Sequence, residues 1–358
     1  MEECINMFER DIEEKMGLEN MSKIVNVRRT PYTERDSERG RISGVINSYI
    51  ETQTYVHVSS GRERIVITQL VEALPKLSEI IDAVAKGDRK QLEGLTQSIA
   101  VDYTGNVVYG AYVCIPGSTI KGLLRARLEL CRSTQDEAFS CMHTKIKKMV
   151  APPARGSHGW RHAAIWGEVV LESRGDECNP STTSDYSVCK VCDIFGAPGI
   201  VGRVMPSNFC GSIELEKLDL SYGEKLWAIP PKTKLNGSIV FTALSIDELG
   251  IVLISMGLVK DSTVGVNVLI GKHKYSHTNM GSARFYITSI ELPHRFKNTL
   301  ENYRITYTTR ENKLIIEGEK LTEFINMTIE RALNKYPQLN NIYGFSEAQV
   351  KENKGVAS

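Results

Sequence analysis

Residues 114–132 read CIPGSTIKGLLRARLELCR. Pro116 and Gly117 punctuate the end of an apolar strand pattern, VVYGAYVCI. Ser118 then stands as a good N-cap for a helix carrying Lys121 in its first turn. Three chemistries use such a start. A nucleotide-type phosphate loop needs G-x-x-x-x-G-K-[ST]; Gly117 and Gly122 keep the glycine spacing, but Leu123 and Leu124 stand where the lysine and hydroxyl must be, which excludes ATP binding here. Penicillin-recognising serine enzymes use S-x-x-K, matched by Ser118 and Lys121. A capped helix start with free N–H groups also receives anions such as an RNA phosphate.

Wound at about 100° per residue, 119–132 shows two stripes. Ile120, Leu123, Leu124, Leu128 and Cys131 form an apolar one, and Arg127 intrudes on it. Lys121, Arg125 and Arg132 form a basic one beside it. That stripe is either the solvated edge of a core helix or an edge that follows a phosphate chain.

Working outward, the 358 residues suit one large domain with insertions, or two domains. A net charge of +1 gives no global basic signal, so any nucleic-acid contact must rest on a local patch. The N-terminal MEECINMFERDIEEKMG is no signal peptide, and Met21 is an alternative start. No stretch approaches the ~18 apolar residues of a membrane span. The expectation is therefore a cytoplasmic protein without membrane association, whose eight cysteines are free thiols or metal ligands rather than disulfides.

RISGVINSYIETQTYVHV, residues 41–58, reads as strand ending at Ser59–Gly61. Residues 65–100 read mostly as helix, interrupted near Pro75. Residues 133–193 lack periodicity and are rich in Cys, His, Gly, Ser and Arg, as in an irregular excursion from a core. GSIELEKLDLS and NGSIVFTAL read as strands, and Ser245 with Glu248 forms a capping box opening a helix through about Leu258. The polar loop IGKHKYSHTNMGSARF leads into the strand ARFYITSIEL, and LTEFINMTIERALNKY is an amphipathic helix. The tail KENKGVAS reads as disordered. Short strands interleaved with helices favour an α+β sandwich over a doubly wound sheet.

Cys189-Lys-Val-Cys192 is a C-x-x-C preceded by loop rather than strand, which disfavours a redox motif. Cys178 and Cys141 lie upstream in the same excursion. Four soft ligands in chain with little core of its own suit a closed, structural zinc site. His143, His158 or His162 could replace one cysteine. The serine-enzyme pattern extends further along the chain: Ser184-Asp185-Tyr186 and Lys232-Thr233-Lys234 follow Ser118 and Lys121 in the order of S-D-N and K-T-G. Tyr186 and Lys234 depart from the motif, and the reading is disfavoured.

With IPGSTIKGLLR, the cysteine knuckle followed by Phe195-Gly196, and the late glycine-bearing loop assembled, the sequence resembles the RAMP superfamily of CRISPR-associated proteins. Within it, it is similar to the backbone subunits of type III interference complexes. The family pattern I-P-G-S-S-[LI]-K-G-x-[LF]-R differs by one Thr-for-Ser change. The loop at 270–285 is longer and less glycine-rich than the family's. The resemblance implies an α+β chain with a modified ferredoxin-like, RRM-type core at 41–292. That core would carry a helical insertion at about 62–100 and the zinc-bearing one at 133–193. Residues 1–40 would be an N-terminal extension and 293–358 a C-terminal one.

The implied partners are a CRISPR guide RNA, single-stranded target RNA and other subunits of the complex, including copies or paralogues of the chain. The implied RNA contacts are Ser118, Lys121, Arg125 and Arg132 around the helix, and Gly271, Lys272 and Lys274 in the loop. Asp102, fourteen residues before Pro116, falls near the position of a family aspartate that supports target cleavage through a divalent cation, Mg or Mn; DYTGN also reads as a plain turn. An alternative implied by the superfamily is a stand-alone endoribonuclease processing precursor RNA without metal. His57 would be its base, although a histidine in that strand also suits the core.

Overall fold

The computed structural model describes residues 22–32, 40–59, 82, 85–87, 108–109, 112–131, 137–141, 165–166, 169–172, 178–181, 186–220 and 225–349. The central strand is β1, Arg41–Thr52. Its period-2 pattern sends Ile42, Ile46 and Ile50 into the core and leaves Asn47, Tyr49 and Glu51 half-buried on the other face. After β1 come β2 (Tyr112–Ile115), helix α1 (Gly117–Glu129), helix α2 (Lys190–Phe195), β3 (Phe209–Gly211) and β4 (Lys234–Ser245). Helix α3 (Ile246–Ser255), β5 (Ser282–Pro293), β6 (Lys313–Glu317) and helix α4 (Glu319–Lys335) complete the set.

The main sheet runs β6–β5–β1–β4–β3–β2, with every pair antiparallel. β4 lies on one side of β1, pairing Lys234 with Glu51 through to Ser245 with Arg41. β5 lies on the other, pairing Ala283 with Thr52. Gly44 lets β5 come close: a Cβ there would stand 2.3 Å from the Glu291 carbonyl oxygen. The buried sheet face shares one apolar core with α1, α3 and α4. Helix α3 is buried all round, as expected for a helix held between a sheet and α4.

Helix α3 starts with the expected capping box: Glu248 N–H donates to Ser245 Oγ at 3.2 Å, and Ser245 N–H to Glu248 Oε2 at 3.0 Å. It ends at Ser255, earlier than the expected Leu258. Gly257, at φ +85°, reverses the chain. Its N–H reaches Ile254 O at 2.9 Å and that of Leu258 reaches Leu253 O at 3.0 Å, the paired bonds of a Schellman close.

Four observations revise or extend the expectations. Helix α1 is capped by Pro116 without a side-chain bond, and Ser118 lies exposed within its first turn. The described residues of the strand/helix extension expected after 292 join the main body, where β6 extends the same sheet and α4 packs on α3. The cysteine-rich excursion is not wholly irregular: Val169–Glu172 and Glu137–Ala138 pair in parallel with Ser22–Val27, drawn from the N-terminal extension. Finally, Cys114 and Cys210 form a disulfide. They stand opposite each other on β2 and β3, with Cα atoms 4.2 Å apart. The expected tail and nearly all of the 62–100 insertion lie outside the described residues.

Candidate functional site

Cys141, Cys178, Cys189 and Cys192 are buried, with their sulfurs all within 4.8 Å of one another. They are drawn from a span in which the first and last stand 51 positions apart, and the fold makes them one cluster able to hold a metal ion such as zinc. Backbone amides turn toward the sulfurs. Cys189 N–H donates to Cys178 Sγ at 3.2 Å, while Cys141 and Cys192 N–H donate to Cys189 Sγ at 3.4 Å. Hydrogen bonds led by the one from Cys141 push the Cys178 and Cys189 thiols down, while those same contacts push Cys141 and Cys192 up. His143, His158 and His162 lie outside the described residues; four cysteines already complete a tetrahedral set.

Arg125 joins this cluster to α1. Its Nε donates to Glu129 Oε1 at 2.8 Å, its Nη1 to Gly196 O at 2.8 Å and its Nη2 to Cys192 Sγ at 3.2 Å. Burial opposes its charge, but Cys192 and Glu129 outweigh that and raise it above the usual guanidinium range. Lys121, one turn earlier, lies over Gly202: a Cβ there would meet its Nζ at 2.7 Å. Half-burial, with Arg125 nearby, lowers the Lys121 ammonium.

The first turn of α1 is not a ring of bare amides, contrary to expectation. Gly117 N–H donates to Asn208 Oδ1 at 3.0 Å, and those of Thr119 and Ile120 reach Pro116 O at 2.9 and 3.1 Å. What α1 presents to solvent is Ser118 and Gly122, with parts of Thr119, Lys121 and Arg125. Among the described residues, nothing lies within 4 Å of where a Gly122 Cβ would stand. An exposed glycine inside a helix costs about 0.5–1 kcal/mol relative to alanine, and packing offers no reason for it here.

The late loop is built against His57. Gly271, at φ +84°, would place a Cβ 2.5 Å from His57 O, and Lys272 N–H donates to that carbonyl at 2.8 Å. Lys272 is exposed, and Lys274 Nζ lies 5.4 Å from the Tyr275 ring centre. His57 itself is fully buried, with Nδ1 2.8 Å from Trp227 O. This loop packs beyond the end of β1, whereas α1 begins beside Pro206–Asn208 at the level of Ser238.

Asp102 and Arg132 lie outside the described residues, as do Ser184 and Asp185. The other half of the serine-enzyme pattern is not assembled: Thr233 Oγ1 donates to Pro230 O at 2.7 Å and Lys234 lies over Tyr49, with no contact to Ser118 among the described residues.

Sequence reasoning missed a buried ion network beside the cysteines. Arg203 Nη1 meets Glu248 Oε2 at 2.8 Å, and its Nη2 donates to Asp193 Oδ2. Arg41 and Lys190 also reach Glu248, at 2.9 and 3.1 Å. Burial pushes the Glu248 carboxyl up, but Arg203 and Lys190 hold it well below the usual carboxylate range. The capping-box glutamate was the one visible signal. The half-buried sheet face was missed too: Tyr49 and Tyr286 stack with ring centres 4.6 Å apart and planes 8° from parallel.

No curated protein matches the chain. The crystal structure of Thermofilum pendens Csc2 is similar at 13% identity and a TM-score of 0.35, with 98% of this chain and 99% of that one covered. That likeness is too distant to carry an argument. A family model for the RAMP superfamily matches residues 49–344, which takes in β1 from Tyr49 onward, α1, the cysteine knuckle, the glycine-bearing loop and α4. The chain belongs to the RAMP superfamily.

Proposed function

We propose that the chain is a guide-RNA-binding backbone subunit of a type III CRISPR effector complex. The strand order β5–β1–β4–β3, with α1 before β3 and α3 between β4 and β5, supports reading its centre as a modified ferredoxin-like core. The observation that carries the RNA reading is Gly122, exposed beside Lys121 and Ser118 with nothing among the described residues within 4 Å of where its Cβ would stand. A flat surface flanked by an ammonium and a hydroxyl lets a ribose-phosphate chain lie against the helix backbone. Exposed Lys272, with Lys274, supplies a second contact group, and Arg132 extends the first. Sequence would be read by guide–target pairing, with the protein holding backbone. Recovery of short repeat-containing guide RNAs with the protein purified from its native cell tests this reading; protein free of RNA, or carrying only random fragments, contradicts it.

The cysteine cluster is proposed to hold zinc in a closed, structural site with no open position for chemistry. Target cleavage is assigned to Asp102, which would help bind Mg or Mn so that the target's own 2′-hydroxyl, losing its proton, attacks the adjacent phosphate and expels the next nucleotide's 5′-oxygen, leaving a 2′,3′-cyclic phosphate. Asp102→Ala in the reconstituted complex is expected to preserve assembly and abolish cleavage at this subunit. Unchanged cleavage removes the catalytic assignment and leaves guide binding in place.

A further inference from the structure

The arginine of the IPGSTIKGLLR motif faces the cysteine cluster. Each nitrogen of its planar fork makes one hydrogen bond within the protein: to a carboxylate on its own helix, a carbonyl of the Phe195–Gly196 turn, and a cysteine sulfur. These three bonds use three of the five N–H groups of the guanidinium and fix its position against the cluster, as expected of a positioning residue. Lys121 leans on the same segment through Gly202, and a Cβ on Gly202 would also collide with Phe195 O at 2.5 Å. Arg125 therefore rests on the turn that follows Cys192, and Lys121 on Gly202, which packs against Phe195 of that turn. The turn is fixed by two buried links: Gly196 N–H to Cys192 O at 2.8 Å and Arg203 N–H to Ile194 O at 2.8 Å.

We infer that Arg125 is a positioning residue that couples the four-cysteine metal site to the RNA-facing surface of α1, so that metal occupancy sets RNA affinity. The chain of contacts is short. A metal ion gathers the four sulfurs and shapes the knuckle; the knuckle places the Phe195–Gly196 turn; Arg125 fastens α1 to that turn and to Cys192. The surface of Ser118, Lys121 and Gly122 is then presented as one unit. Groups that hydrogen-bond to metal-bound ligands tune both affinity and geometry at the metal. The inference rests on the RNA-binding reading for its second half only.

The test uses the full chain loaded with cobalt(II), whose thiolate charge-transfer bands report directly on the sulfurs. Arg125→Gln is expected to shift those bands and to weaken cobalt binding about 10-fold or more. Arg125→Lys keeps the charge but cannot span three acceptors, so it is expected to behave like the glutamine variant; it also serves if that variant folds poorly. In parallel, affinity for a single-stranded RNA is measured against salt. Each phosphate of a single strand that a side chain ceases to neutralise lowers the slope of log affinity on log salt by about 0.7. Lys121→Gln is expected to show that drop, whereas Arg125→Gln should lower affinity with its slope unchanged. Stripping the metal from the wild type is expected to cut RNA affinity about 10-fold or more, and re-loading to restore it.

Unchanged cobalt bands in both Arg125 variants overturn the link to the cluster. A slope drop in Arg125→Gln makes it a phosphate ligand and overturns the positioning role. RNA affinity independent of metal overturns the coupling. A wild type that binds no RNA at all removes the RNA reading and the coupling together, while the cobalt bands still decide the Arg125–sulfur link.

Discussion

Glu248 serves as a capping-box carboxylate and as the centre of a buried network. It accepts from Ser245 N–H at the N-cap of α3 and from Arg203, Arg41 and Lys190, which arrive from three other parts of the chain. Glu248→Gln removes the charge but keeps the shape, leaving Arg203 buried with only Asp193 as ionic partner. The expected cost is about 3–5 kcal/mol, read from urea unfolding with an unchanged slope. The folded-state carboxyl is held low, so its stabilisation is fully present above the unfolded value of about 4.3 and is lost as pH falls below it. The wild type should therefore lose stability steeply below about pH 4.3, and the glutamine variant less so; parallel curves would remove the assignment. Half of this arrangement was legible. A serine and a glutamate three apart before an apolar run announce a cap from local spacing alone. Arg203 gave no such signal, because its partners at 193 and 248 meet it only through the fold. Arg127 was visible as a misfit in an apolar stripe. Its partner Glu347, with the nearest atoms 3.1 Å apart, lies beyond any local pattern.

At the scale of the element, α1 carries two glycines with opposite meanings. A Cβ on Gly117 would stand 2.1 Å from Pro206 O, so Gly117→Ala forces helix and strand apart at a cost of about 1–3 kcal/mol. Gly122 meets nothing within 4 Å among the described residues. Gly122→Ala is expected to stabilise the chain by about 0.5–1 kcal/mol and yet weaken RNA binding, a pair of effects read by thermal unfolding and RNA titration on the same sample. Reduced stability with RNA binding intact would return Gly122 to packing. The sequence placed this helix and its basic stripe, since both follow from a 3.6-residue period. It misplaced the cap by two residues, because Asn208, which takes the Gly117 amide, sits 91 positions away. Periodicity likewise marked β1, β4 and β5, but the parallel pairing of Ser22–Val27 with Val169–Glu172 joins segments that no short pattern relates.

Across the whole molecule, two cysteine groups tie together segments far apart in the chain. One is the disulfide between β2 and β3; the other is the cysteine cluster that anchors the excursion to α1. Purified protein is expected to carry about one equivalent of zinc, released by a chelator with a fall in melting temperature. A chain that keeps its melting point after losing its thiol-bound metal would make the cluster incidental. Among the described residues, no helix is long and apolar enough to cross a membrane. The cluster was legible because cysteine spacing survives in the one-dimensional record, whereas the disulfide was not: Cys114 and Cys210 are 96 residues apart and meet only once the strand order is known. The central claim is that RNA lies on α1 and on the Gly271 loop. Ultraviolet crosslinking of the full chain to single-stranded RNA, followed by mass-spectrometric mapping of the linked peptides, tests it most directly. Crosslinked peptides are expected from 116–125 and 271–275; crosslinks confined to the Tyr49–Tyr286 sheet face, or none at all, would contradict it.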